Sequence, residues 1–291
     1  MLERILEALI SGITQGCIFA LIALGLVIVF RVTKLWNVLI GEFAMLGSMI
    51  GATLYATGLP MFAVIIVPII AVAILGAAVW QVVFRRPFAK TGATFDLVQV
   101  AVALILVSMG TAYLIWGTFV KDFPSFIDFE LNVAGISIHP QTPWIWGVLV
   151  LGVAGLSYLF ERTSLGRALR ASAQQPTAAR LMGINIHTMA FYSFILSAAI
   201  GALAGVVLAP LMMAHYQRGL YLLVGGLLAF LAGGPTKVEG AIGGGLFMGL
   251  IESFTGAFIS STYMTVIAVG SFIVVLAIRP QGILGIREEE R

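Results

Sequence analysis

Charge is scarce in this sequence. Only 10% of the 291 residues are Asp, Glu, Lys or Arg, against about 25% in an ordinary soluble domain. A chain of this size folded in water leaves much of its surface wet, so this composition excludes a soluble globule. Cysteine is scarcer still: Cys17 stands alone, which rules out an intrachain disulfide and carries no information about redox compartment. The histidines, His139, His187 and His215, lie far apart and fit structural or interfacial roles better than a metal centre. Enzyme signatures are lacking as well. There is no G-x-x-x-x-G-K phosphate loop, no H-E-x-x-H and no G-x-S-x-G, so any ATP-driven work must come from a partner. The net charge of +3 does not point to nucleic acid, because the cations sit mainly between apolar runs, as the positive-inside rule expects of membrane proteins. Met1–Ile10 lacks the marks of a cleaved signal: Glu3 and Glu7 oppose Arg4, the apolar run that follows is too long, and no A-x-A site appears.

What is abundant is hydrophobicity, at 60% of residues. A helix needs ~20 apolar residues to cross the hydrocarbon core. Spans are predicted at Leu9–Phe30, Val38–Ala56, Met61–Phe84, Leu97–Trp116, Trp144–Phe160, Met189–Met213, Gly240–Ile259 and Met264–Ile278. The shorter run Leu220–Ala232 reads as a half-helix, a tilted span or a re-entrant segment. The expectation is an all-α polytopic membrane helix bundle of eight or nine segments forming one domain over residues 1–291, and the segment after Asn37 is a candidate broken helix. Arg85, Arg86 and Lys90, then Arg162, Arg167, Arg170 and Arg180, then Arg279, Arg287 and Arg291 mark cytoplasmic loops. Gly117–Pro143, with Asp122, Asp128 and Glu130 against Lys121, marks an external one. Nine crossings place the C-terminus inside and the N-terminus outside. Glycines four apart, Gly12/Gly16, Gly47/Gly51, Gly201/Gly205, Gly240/Gly244 and Gly245/Gly249, allow helix backbones to approach closely in lipid. Packing within the chain is the favoured reading; a narrow pathway or a subunit contact is the alternative.

Two carboxylates, Glu42 and Glu252, lie inside apolar sequence. At mid-membrane each costs about 2.5–3.5 kcal/mol on insertion scales and so faces a bundle interior or a wet cavity. For Glu42 a solute path and a structural acceptor remain equally open; Glu252 reads more as a structural acceptor. Asn37 and Gln15 are further pathway candidates, with Thr14, Gln99 and Ser108 as weaker ones, and Gln15 between Gly12 and Gly16 suits an interhelical hydrogen bond. The loop Glu161–Thr188 is the second informative feature. Thr163 or Ser164 can cap a short helix on which Leu165 and Leu169 share one face and Arg167 and Arg170 point elsewhere. Pro176 suits the first turn of a second short helix and Gly183 its stop. Such a pair lies on a membrane surface or docks on a soluble partner.

Three blocks resemble the permease subunits of branched-chain amino acid ABC importers, the LivH type: SGITQGCIFALIALGLVIVFRVTKLWNVLIGEFAMLG at Ser11–Gly47, TSLGRALRASAQQPTAARLMGINI at Thr163–Ile186, and AGGPTKVEGAIGGGLFMGLIE at Ala232–Glu252 with RPQGILG at Arg279–Gly285. The resemblance implies a non-enzymatic translocation subunit with no cofactor of its own, ATP and Mg being bound by partners. Those partners are a second related permease, ATP-binding cassette ATPase subunits and a periplasmic solute-binding protein, in a bacterial inner membrane. It also implies that the 161–188 loop presses on an ATPase, through Ser164, Leu165, Gly166, Arg167, Leu169, Arg170, Leu181 and Gly183. One departure stands out. Where the family has N-F-A-H-G-E, this chain has Asn37-Val38-Leu39-Ile40-Gly41-Glu42, so relatives' other solutes, such as urea, amides, sugars or organic acids, remain alternatives to an amino acid. A self-contained secondary transporter or channel is the rival of a different class.

Overall fold

In hydrocarbon each backbone polar group must be satisfied within its own segment, which leaves helices as the natural spanning element. The computed structural model describes residues 1–88, 94–126, 131–133, 136–235 and 237–285, and they form α1 (Leu2–Thr33), α2 (Ile40–Ala56), α3 (Met61–Val79), a π-helical turn (Trp80–Phe84), α4 (Arg85–Phe88), α5 (Thr94–Trp116), α6 (Gln141–Arg162), α7 (Ser164–Gln174), α8 (Pro176–Leu181), α9 (Ile186–Met212), α10 (Arg218–Gly233), α11 (Val238–Phe258), a 3₁₀ turn (Ser261–Tyr263) and α12 (Met264–Ile278). Among the described residues, seven helical segments are long and apolar enough to cross a membrane, and α2 and α10 are shorter apolar helices. The protein is an all-α polytopic membrane bundle, with the eight or nine apolar segments that hydropathy predicts. The exception is a small antiparallel hairpin in the loop before α6, Leu131–Val133 (β1) against Ile136–Ile138 (β2), with Leu131 opposite Ile138. Strands of three residues are too short to show an alternating pattern, so the sequence gives no warning of them.

Helix α1 is the axis of the bundle. Its residues from Cys17 to Leu24 and from Leu26 to Val29 are all buried, and a helix apolar on every side belongs in a core. It packs against α6, α9, α10 and α11. The contact with α11 is close because glycines face it. A Cβ on Gly245 would come within 2.6 Å of Ala20 N, and Gly249 lies on the backbone of Gly16 and Gly12. Gly47 lies against Ala202, Gly201 and Gly205 lie against Ile40 and Ala44, and Gly240 and Gly244 lie against Gly233. The small-residue stripes therefore serve packing within the chain.

Helices α2 and α10 start inside the bundle. Ile40, in the first turn of α2, sits against Gly25 and Gly201, roughly two turns before the end of α1. After Thr33 the chain thus folds back into the bundle before α2 begins, and α2 itself runs unbroken from Ile40 to Ala56, so the break considered within the segment after Asn37 is not found. Gly41 lies on the carbonyl of Gly219, in the first turn of α10, so the N-terminal ends of the two short helices meet. Basic side chains gather at one end of the bundle. Arg31, Lys34, Arg170 and Lys237 surround one recess of about 340 Å³, and the tail bonds back to the end of α10 through Ile283 N to Ala232 O and Leu284 N to Gly233 O. At another point Lys121 pairs with Ala214, just beyond α9. Lys90, Asp128, Glu130, Arg287 and Arg291, used above to assign sides, lie outside the described residues.

Candidate functional site

Glu42 occupies the third position of α2 and is 3% exposed. The local sequence explains its placement. Gly41 lets α2 rest on the backbone of α10, and Gly219 leaves room for the carboxylate, whose Oε1 would be 2.5 Å from a Cβ at that position. The carboxylate therefore lies in the first turn of its own helix and beside the first turn of another, where helix dipoles favour negative charge. Its Oε2 is buried and has no hydrogen-bond partner, and the same holds for Ser108 Oγ. Both residues line a cleft of about 330 Å³ between α2, α3 and α5, whose remaining wall is mostly aliphatic and aromatic. Ser108 stands beside the Glu42 carboxyl as a neighbouring hydroxyl donor, although the pair falls short of a closed hydrogen bond. The intramembrane carboxylate thus faces protein and a cavity, not lipid.

Asn37 lies on the chain that re-enters the bundle. It is buried and donates from Nδ2 to Ser197 Oγ on α9 at 3.0 Å. It also lines a small recess of about 20 Å³ with Trp36, Trp80, Phe84 and Phe194, which is room for about one water. The π turn Trp80–Phe84 places both of its end aromatics against Phe194. Nothing in the hydropathy of this stretch foretells a π turn, and Trp80 and Phe84 escaped the sequence reading for that reason.

Gln15 and Glu252 are brought together, away from Glu42. Gln15 Nε2 donates to Tyr221 Oη at 2.9 Å, and Tyr221 Oη donates to Glu252 Oε2 at 2.9 Å. The chain of bonds ties α1, α10 and α11, so both residues act as interhelical links and neither joins the cleft. Tyr221, its hub, is a further residue that sequence reasoning missed. Thr14 accepts from Trp146 Nε1 at 3.1 Å and links α1 to α6, while Gln99 is exposed on α5.

The 161–188 loop forms the two short helices expected. Thr163 caps α7, its Oγ1 accepting from Gly166 N at 3.0 Å. Gly166 is required by contact, since a Cβ there would meet Leu159 O and lie 2.5 Å from Phe160 Cα. Pro176 opens α8, and Gly183 closes the turn after it with φ 81°. One expectation needs correcting. Leu169 is fully buried and Leu165 is half-buried against the core, so the face they share clamps α7 to the bundle and does not project outward. An amphipathic helix lying on a bundle turns its apolar stripe to that bundle. Ser164, Arg167 and Arg170 are exposed on the other side. The outward apolar side chains are Leu181 and Met182, 86% and 82% exposed.

Comparison with known proteins bears on this arrangement as a whole. Residues 8–277 match the family described as branched-chain amino acid transport system / permease component. The chain is 31% identical to the high-affinity branched-chain amino acid transport system permease protein BraD of Pseudomonas aeruginosa, over 98% of this chain and 97% of that protein. It is 30% identical to the corresponding protein LivH of Salmonella typhimurium, over 98% and 97%. It is 28% identical to the probable branched-chain amino acid transport permease protein LivH of Methanocaldococcus jannaschii, over 95% and 91%. The match spans the bundle from α1 to α12, and the chain belongs to the family of branched-chain amino acid transport system permease components.

Proposed function

We propose that this chain is one of two related permease subunits in a binding-protein-dependent ABC importer of a bacterial inner membrane. It moves a small polar solute, with branched-chain amino acids the favoured class because its relatives carry that name. Partner ATPases bind ATP and Mg, and a periplasmic protein delivers the solute. The carrying observation is the pair α7–α8: a capped basic helix clamped to the bundle by Leu169, followed by a short helix presenting Leu181 and Met182 to the surroundings. Apolar side chains held out at the basic end of a bundle suit a soluble partner that presses on them, and Arg167 and Arg170 supply charge for acidic groups on it. The gathering of cations at this end supports a cytoplasmic placement for it and for the C-terminus, with the N-terminus at the opposite face. Glu42, in the cleft between α2, α3 and α5, and Asn37, in its small recess before α2, are assigned to the solute path.

The experiment is reconstitution with and without the ATPases, the second permease and the binding protein, using radiolabelled leucine. Uptake is expected only from the full complex with ATP. Uptake by the lone chain without ATP would overturn the importer reading in favour of a self-contained transporter.

A further inference from the structure

A buried carboxyl oxygen and a buried hydroxyl, both without partners and both facing one cavity, require an explanation, because native structures leave few such groups unpaired. We propose that the cleft between α2, α3 and α5 is an amine subsite, in which Glu42 Oε2 and Ser108 Oγ accept hydrogen bonds from the primary ammonium group of a solute with a branched aliphatic skeleton. This rests on the reading of the chain as a solute permease and adds to it the chemistry of one station on the path.

The composition of the cleft selects the ligand. Glu42 and Ser108 offer neighbouring acceptors in one cleft, and an ammonium group has three donors and no acceptor. Thr111, whose hydroxyl donates to Val107 O, keeps its acceptor lone pairs and adds a third oxygen to the lining. The rest of the wall, including Leu39, Leu46, Leu75, Val79 and Leu104, suits a branched hydrocarbon. No Lys or Arg lines the cleft, so it reads the amine and leaves a carboxylate unheld. A metal ion is a poor occupant, since no group of three or more His, Cys, Asp or Glu stands together among the described residues. The cleft's volume of about 330 Å³ falls at the lower end of the ~300–1,000 Å³ usual for small-molecule sites.

The test is carboxyl labelling of the full importer complex in nanodiscs with dicyclohexylcarbodiimide, read by peptide mass spectrometry. Competitors are leucine, 3-methylbutylamine and 4-methylpentanoate, and leucine uptake is measured on the same preparations. Glu42 is expected to label, and leucine and the amine should protect it while the amine-free acid does not. Glu42→Gln should assemble normally yet lower leucine uptake about tenfold or more, the scale of losing a hydrogen bond to a charged group. Ser108→Ala should lower uptake less. Absence of labelling, labelling that no amine slows, or equal protection by the acid would overturn the subsite, the last result marking a greasy cleft that ignores charge. Amine protection without leucine import would keep the subsite and remove the solute reading. Leucine import with Glu42 unprotected would do the reverse.

Discussion

Two intramembrane glutamates of similar sequence context have opposite surroundings. Glu252 accepts from Tyr221, which in turn accepts from Gln15, whereas Glu42 has a buried oxygen with no donor. The first arrangement holds helices together; the second sets a carboxylate against the cleft between α2, α3 and α5. Tyr221→Phe deletes the hub and leaves Glu252 without its donor. The expected loss is ~1 kcal/mol, the range of interhelical hydrogen bonds in membranes combined with an unpaired buried acceptor. It should appear as a lower Tm of the detergent-solubilised complex with leucine uptake retained. A variant that transports poorly at unchanged Tm would instead place Tyr221 in the path. The sequence exposes both carboxylates at once, because charge inside an apolar run is visible in one dimension. Which of them has a partner depends on residue 221, far along the chain from 15, and no local pattern encodes that distance.

At the scale of the element, α7 and α8 divide labour that the sequence assigns to one face. Leu169→Asp buries a charge against α1 and α9, where α7 seats, and should lower folded yield and Tm. Leu181→Asp alters only an exposed side chain. It should leave the fold intact and reduce ATPase stimulation by the binding protein. Exposed ion pairs are worth about 0–1 kcal/mol, so Arg167→Ala should have a smaller effect than Leu181→Asp. Complex assembly and stimulated ATPase activity, measured in one preparation, separate these outcomes. Equal behaviour of the two leucine variants would show that burial does not distinguish them. The contact of α1 with α11 gives a second check. Gly249→Val forces a branched side chain onto the Gly16 and Gly12 backbone, and overpacking of this kind costs about 1–3 kcal/mol. A Tm equal to that of the parent protein would mean the two helices part more easily than their packing indicates. The caps and stops were legible: Thr163, Pro176 and Gly183 act where local chemistry predicts. The side of α7 that meets the bundle was not, since an i, i+4 pair defines a stripe without saying what lies against it.

Across the whole molecule burial is uneven. The span in α1 is 83% buried within the chain, that of α5 11% and that of Ser261–Ile278 6%. The outer helices therefore turn most of their apolar surface away from this chain. Eight spans and the short run Leu220–Ala232 were readable from hydropathy, as was the family-like loop; that Ile40–Ala56 forms one of the two shorter helices was not. The meeting of the α2 and α10 starts beside Glu42 was not.

Sequence by itself determined that this protein lives in a bilayer, that it is helical, and that Glu42, Glu252 and the 161–188 loop are its unusual features. Each follows from local quantities: transfer free energy summed along a run, capping chemistry within a turn, and the cost of one carboxylate in hydrocarbon. Tertiary structure alone decided that Gln15, Tyr221 and Glu252 close into one chain, that Leu169 turns inward while Leu181 stays out, and that Glu42 and Ser108 share a cleft. These depend on which helices pack together and on their rotation about their own axes. In lipid, where apolar side chains gain little by choosing a protein neighbour over an acyl chain, those choices come from close packing at glycines and from long-range hydrogen bonds.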